Sequence, residues 1–309
     1  MQDEHPSAAA HFRCGYVAII GEPNVGKSTL MNGLLGQKIS IVTRKPQTTR
    51  HKILGILSTE QYQMIFLDTP GIIEPAYLLQ EVMMRFATSA IADADLLLFM
   101  VDATRPGTGS DLTHDEAFKR LQGLQRPVYL VLNKIDLVRK DLLLPVIDFY
   151  SSRYPFREIF PISALTKDGT EELIRALARD LPEHPPLYPL DIVSDRNQRF
   201  FAGEIIREKL FLRCHEEIPY STTVDIVEFA EREKGKWFIS ADILVGRESQ
   251  KGIVIGKGGS MLKEIGRLAR KDIERFLEHP VFLELHVKVR ENWRENPEGL
   301  NQLGYRHDA

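Results

Sequence analysis

Gly21-Glu22-Pro23-Asn24-Val25-Gly26-Lys27-Ser28-Thr29 is the stretch from which the fold of this chain is read. It has the form G-x-x-x-x-G-K-S, a loop whose backbone N–H groups cradle phosphate. The apolar run 16–20 precedes it, and an amphipathic run through Leu30, Leu34 and Leu35 follows. Strand, loop and helix in that order aim N–H groups and the positive end of a helix at one point. Gly21 and Gly26 allow the backbone to curl around an anion without Cβ clashes. Lys27 is placed to reach β- and γ-phosphates, and the Ser28 hydroxyl to take a position on Mg2+. A glycine turn ahead of an ordinary helix has the same bare pattern, so the rest of the chain has to decide.

Downstream, apolar runs recur and each stops at a polar or turn residue: 63–67 at Asp68, 96–101 at Asp102, 128–132 at Asn133, and 159–162 at Ser163. Helix-period stretches, such as 78–91 and 171–178, lie between them. Strands alternating with helices predict an α/β domain, a mainly parallel sheet with helices on both faces. Ligands of such sheets bind beyond the carboxyl ends of the strands, so these polar residues are expected to converge on one crevice.

Three of those strand ends carry recognisable chemistry. Asp68-Thr69-Pro70-Gly71 offers a carboxylate that holds Mg2+ through water and a Gly71 N–H placed to sense a γ-phosphate. Asn133-Lys134-Ile135-Asp136 reads a base: guanine presents N1–H and a 2-amino group, two donors that the Asp136 carboxylate accepts together. Adenine would set a bare acceptor against that carboxylate, and the unpaired group penalises the wrong base. Lys134 is expected to lay its stem over the ring, and Asn133 to tie this loop to the phosphate loop. Ser163-Ala164-Leu165 completes the pocket, with the Ala164 N–H expected to face guanine O6. Between the phosphate loop and Asp68 runs Arg44-Lys45-Pro46-Gln47-Thr48-Thr49-Arg50-His51, where one threonine should close over Mg2+ when the γ-phosphate is present. Thr49 is the first choice and Thr48 the second.

The second half follows another pattern. The stretch 181–189 holds four prolines and cannot continue the preceding helix, so it reads as a stiff linker. Beyond it come a helix at 198–214, strand patterns at 222–230 and 237–245, a glycine loop, a helix at 260–277 and a strand at 281–289: a small α+β domain. The loop Gly256-Lys257-Gly258-Gly259, following Val254 and Ile255, matches the G-x-x-G turn over which KH domains pass an RNA backbone. Ile253, Ile255 and Ile265 form a candidate apolar ridge, and Lys263 stands just beyond the loop. Seven basic residues against three acidic ones within 251–275 make the charge there locally positive, although the whole chain carries −3. Trp237 reads as core within a strand pattern, and 297–305 as a short closing helix.

At 309 residues two domains are the natural expectation. The two cysteines, Cys14 and Cys214, are too far apart for a metal spacing and suit a reducing cytoplasm. The start of the chain lacks the basic and apolar regions of a signal peptide, and the run 96–101 is too short to span a bilayer. His215, His279 and His286 are scattered, so the second half offers no catalytic constellation of its own.

These motifs in this order are those of translation-factor-like GTPases, and with the second domain the chain resembles the Era-like GTPase family from about residue 15 to 305. The resemblance implies a flexible tail at 1–13, a P-loop GTPase domain at 14–181, a proline-rich linker at 182–191, and a type II KH domain with its tail at 192–309. It implies a monomeric cytoplasmic switch that binds GTP or GDP with Mg2+, hydrolyses GTP, binds 16S rRNA near its 3′ end and assists assembly of the 30S ribosomal subunit. Lys27, Thr49 and Gly71 then serve catalysis, and Ser28, Thr49 and Asp68 the metal. In related GTPases an asparagine at the place of Asn24 helps hold K+; the alternative is an asparagine that caps its own loop. Ile72 stands where many small GTPases carry a water-orienting glutamine, which implies slow intrinsic turnover, roughly 10⁻⁴ to 10⁻² s⁻¹. The family's association with membranes raises a rival, a nucleotide-gated adaptor at the inner membrane surface or for a cell-cycle partner. No strong basic amphipathic helix supports it.

Overall fold

The computed structural model describes residues 12–105 and 116–305, so the tail expected at 1–13 lies outside them but for its last two residues. The apolar run ahead of the glycine loop is β1 (Arg13–Ile20), the centre of a six-stranded sheet. The loop follows, then α1 (Lys27–Leu35), β2 (Ile53–Ser58), β3 (Tyr62–Asp68), α2 (Leu78–Asp93), β4 (Leu96–Asp102), the short α3 (Glu116–Lys119), β5 (Val128–Asn133), α4 (Leu143–Ser151), β6 (Ile159–Ile162) and α5 (Thr170–Asp180). The strand order is β2-β3-β1-β4-β5-β6. Only β2 runs antiparallel, paired with β3. All residues of β4 and β5 are buried, as strands are when a parallel sheet is covered on both faces. Parallel pairing brings the strand ends level: Asp102 stands beside Asn133, and Asn133 beside Ile162.

The chain groups into two compact units. The first holds the residues up to Ser40, Lys52–Glu74 and Phe86–Asp195. Its proline-rich stretch is fastened along the sheet rather than hanging free. The Gln63 side chain accepts from the N–H groups of Leu187 (2.9 Å) and Tyr188 (3.0 Å) and donates to the Tyr188 carbonyl (2.9 Å). Ile56 N–H then reaches the Val193 carbonyl at 2.8 Å, which covers part of the outer edge of β2.

The second unit holds Ile41–His51, Pro75–Arg85 and the chain from Arg196 onward. Its elements are α6 (Gln198–Arg213), α7 (Ile218–Ser221), β7 (Thr223–Ala230), β8 (Trp237–Val245), α8 (Glu248–Ile255), α9 (Ser260–Leu277), β9 (Val281–Val289) and α10 (Pro297–Gln302). The sheet order is β7-β8-β9, with β7 antiparallel and β9 parallel to β8. Ile206 and Leu210 of α6, Ile265, Ala269 and Ile273 of α9, and Ile239, Ala241 and Ile243 of β8 share its core. Trp293 is the buried tryptophan, its indole N–H on the Ser221 carbonyl at 3.0 Å. Trp237, expected in the core, is half-buried at the start of β8 and stacks on His279. The closing helix forms as expected, with Asn296 capping it and Tyr305 buried beyond it.

Candidate functional site

The polar strand ends of the first unit meet around the glycine loop. Gly26 has φ +105, and a Cβ there would lie 2.3 Å from Asn133 Nδ2, so the loop cannot take this path with any side chain at that position. The same Asn133 amide donates to the Val25 carbonyl at 2.7 Å, while its Oδ1 accepts from the Ala164 N–H at 2.8 Å. One side chain therefore fixes three loops together: the expected tie to the phosphate loop, and a further one to the Ser163-Ala164-Leu165 loop. The Ala164 N–H, expected to face O6, is directed at Asn133 instead. Ser163 is buried, and its Oγ accepts from the Thr166 N–H at 3.2 Å. Leu165 and Asp136 are exposed at the rim, and Lys134 is half-buried.

Lys27 opens α1 and is buried, with its ammonium donating to the carbonyls of Gly21 (3.0 Å) and Glu22 (2.8 Å). Burial pulls its pKa down to about 8, against the pull of Asp68 and Glu22. Asp68 is fully buried at the end of β3, and burial pushes its carboxyl up despite the hydroxyls that bind it. Its Oδ2 accepts from Ser28 Oγ and from Ser40 Oγ, both at 2.7 Å. Its Oδ1 is buried with no hydrogen-bond partner among the described residues. Two hydroxyls and a carboxylate with an unused oxygen form an all-oxygen donor set, the kind a hard divalent cation takes. The buried ammonium beside them rests on two backbone carbonyls, and a further anion there would favour its charged form. The residues present thus fit Mg2+ and a phosphate group.

Ser40 is the residue that sequence reasoning missed. It lies outside every motif, and Asn32 of α1 holds it by accepting from its N–H at 2.9 Å and donating to its carbonyl at 2.7 Å. The signal was available only as a small hydroxyl residue shortly after α1. Gly71 is brought to the phosphate loop where the next N–H, that of Ile72, reaches the Gly21 carbonyl at 3.2 Å. Thr69 Oγ1 donates to the Ile19 carbonyl at 3.0 Å, and Thr69, Pro70 and Ile72 are buried. Asn24 holds a left-handed φ of +66 in the loop.

Thr48 and Thr49 belong to the second unit, in the segment Ile41–His51. There Arg207 of α6 donates to the Thr48 carbonyl at 2.6 Å, and Thr48 Oγ1 lies 2.7 Å from Thr43 Oγ1 and from the Lys45 carbonyl. In the same unit, Gly256, Gly258 and Gly259 all have positive φ, and space around the last two is open. That turn joins α8 to α9, with Lys257 and Lys263 exposed and Ile253 more than half exposed beside it. Ile265, expected on the apolar ridge, is fully buried in the core and lines no groove. Arg267 and Arg275 are paired with Glu264 (2.9 Å) and Asp272 (3.2 Å), so part of the local positive charge is neutralised on the helix itself.

A family model described as 50S ribosome-binding GTPase matches residues 16–134, and one described as KH domain matches 217–294. The chain is similar to GTPase Era of Geobacter metallireducens, 49% identical over 95% of this chain and 98% of that one. GTPase Era of Syntrophus aciditrophicus is 48% identical over 95% of each chain. Among solved structures, a variant of Aquifex aeolicus Era bound to GDP.AlF4- superposes with a TM-score of 0.90 at 42% identity, over 96% of this chain and 100% of that one. Era in complex with MgGDPNP and nucleotides 1506–1542 of 16S ribosomal RNA matches with the same score, identity and coverage.

Proposed function

The chain belongs to the Era family of GTPases, and on that premise we propose that it is a GTP-hydrolysing switch that binds 16S rRNA near its 3′ end and assists assembly of the 30S subunit. The observation that carries the nucleotide half is Asn133, whose side chain joins the base-reading strand end to the phosphate loop and to the Ser163-Ala164-Leu165 loop. Residues 21–29 surround the phosphates, with Lys27 donating to them. Asp136 accepts the two donors of guanine, and Lys134 covers the ring. Mg2+ bound here supplies positive charge against the phosphate oxygens; Ser28, Thr49 and, through water, Asp68 hold it. Thr49, with Thr48 as the alternative, senses the γ-phosphate together with Gly71.

Ile72 is buried and apolar, so it has no group that orients a water molecule, and turnover is slow until other groups are supplied. The RNA half rests on the open Gly258–Gly259 turn with Ile255, Lys257 and Lys263 around it. The matched stretches fall inside 14–181 and 192–309, which supports that division into a GTPase and a KH domain. The similarity to an Era bound to 16S rRNA supports the choice of RNA. Two buried free cysteines suit work in the cytoplasm. Among the described residues no helix is long and apolar enough to cross a membrane, and no observation favours the membrane-surface adaptor.

The test of the nucleotide site is a change of base preference. Asp136→Asn exchanges an acceptor for a group that also donates, matching the carbonyl that xanthine carries in place of the 2-amino group. GTP binding should fall by 100-fold or more while XTP binding rises, because unpaired polar groups against the wrong base cost several kcal/mol. Unchanged GTP affinity in the variant would overturn the assignment.

A further inference from the structure

Asp102 ends β4 and belongs to none of the motifs. Its Oδ1 accepts from the Thr104 N–H at 3.0 Å and from Thr104 Oγ1 at 2.6 Å, which leaves Oδ2 facing the ammonium of Lys134 at 2.5 Å. The Asp102 side chain is only 11% exposed, and that of Lys134 29%. Burial pushes the Asp102 carboxyl up, but the hydrogen bonds from Lys134 and Thr104 outweigh it and leave the group below its usual range.

The backbone on both sides of Lys134 is fixed. Asn133 is tied on its N-terminal side as described, and the Leu137 N–H closes a tight turn onto the Lys134 carbonyl at 3.0 Å. Lys134 itself holds φ +70, a left-handed conformation that a non-glycine residue keeps only where its surroundings impose it. With the backbone set, the direction of the long side chain is the remaining freedom, and Asp102 takes it up. Register explains why: β4 and β5 end level, with Asp102 directly beside Asn133, one residue from the lysine.

We propose that Asp102 is a positioning residue for guanine binding: with Thr104 bracing it, it holds Lys134 stretched across the place of the base before nucleotide arrives. This rests on the nucleotide-site reading above. A lysine left free would have to be immobilised on binding, and Asp102 removes that cost in advance. The hydrogen-bond partners of the Asp102 side chain are Thr104 and Lys134, neither of them assigned to phosphate, so the ratio of GDP to GTP affinity is unaffected.

The experiment is a double-mutant cycle on the full chain, read by the release rate of fluorescently labelled GDP. Asp102→Asn should speed release about 3- to 10-fold, and the same change made in Lys134→Met should have no further effect. Equal acceleration in both backgrounds, as a general loosening of the fold would give, overturns the proposal; so does unchanged release in the single variant. Thr104→Val covers the case in which Asp102→Asn fails to fold. It should give a smaller acceleration, again only with Lys134 present, and no acceleration counts against the proposal. Failure of the nucleotide site itself would show separately, as Asp136→Asn retaining its GTP affinity.

Discussion

His51 shows how much a single residue can hide from sequence reading. In a run of basic and hydroxyl residues it looks like part of a surface loop, yet it is buried in the second unit. It stacks on Tyr305 with ring centroids 4.5 Å apart and meets Phe200 edge-on at 5.4 Å. Burial holds its pKa at about 4; Glu204 pulls it up, and Arg207, Arg196 and Arg50 push it down. The folded pKa is therefore below that of the unfolded chain, near 6.5, and the unfolded state takes up the proton first. The corresponding stability is fully present above pH 6.5 and is lost as the pH falls toward 4, by about 3 kcal/mol in all. Both tryptophans lie in the same unit, so urea unfolding followed by their fluorescence reports on it. Between pH 7 and pH 4.5 the midpoint should fall more in the wild type than in His51→Phe, and parallel falls would contradict the assignment.

At the scale of elements, the periodic ones were legible and the irregular ones were not. The strand Val281–Val289 and the helix Ser260–Leu277 follow from alternation and from a 3.6-residue apolar face, and they form with the bounds expected. β2 escaped because Gly55 interrupts an apolar run with no alternation, and α8 because glycine and β-branched residues crowd its last turn. The helix α6 was legible as a helix but not as an element covered on every side. Glu204, Arg207 and Glu208 are buried on it where the segment Ile41–His51 packs over them, and Lys209 is buried against Asp272 of α9. Val42 N–H reaches Glu208 at 3.2 Å, and Lys45 donates to the carbonyls of Phe211 and Cys214. Arg50 completes the attachment by donating to the carbonyls of Thr222 (2.8 Å), Pro219 (2.9 Å) and Tyr220 (3.3 Å). No local pattern announces such long-range partners. Arg50→Ala leaves those carbonyls unpaired and opens a cavity, and should lower the stability of this unit by about 3 kcal/mol. Limited trypsin digestion should then cut after Arg44 sooner than in the wild type, the Lys45–Pro46 bond being resistant to trypsin. Unchanged protection would mean that Arg50 is not what secures the segment.

For the whole molecule, the site was more legible than the architecture around it. A phosphate loop, a metal carboxylate, a base-reading strand end and the Ser163-Ala164-Leu165 loop are short and chemically constrained, so these four stretches of sequence pointed to the crevice. The grouping of Thr48 and Thr49 with the second unit was not legible, since it depends on packing between segments far apart in the chain. If Thr49 or Thr48 answers to the γ-phosphate as proposed, the responding segment is the one that packs over α6. A switch of this kind requires that nucleotide state set RNA affinity. It is tested most directly by measuring binding of a 16S rRNA 3′-end fragment with a GTP analogue, with GDP and with no nucleotide. Salt is held constant, because phosphate contacts make the affinity steeply salt-dependent. Binding should be tightest with the GTP analogue and should be lost when Gly258→Asp and Gly259→Asp place carboxylates in the open turn. Equal affinity in all three states would leave both sites standing and contradict the coupling between them.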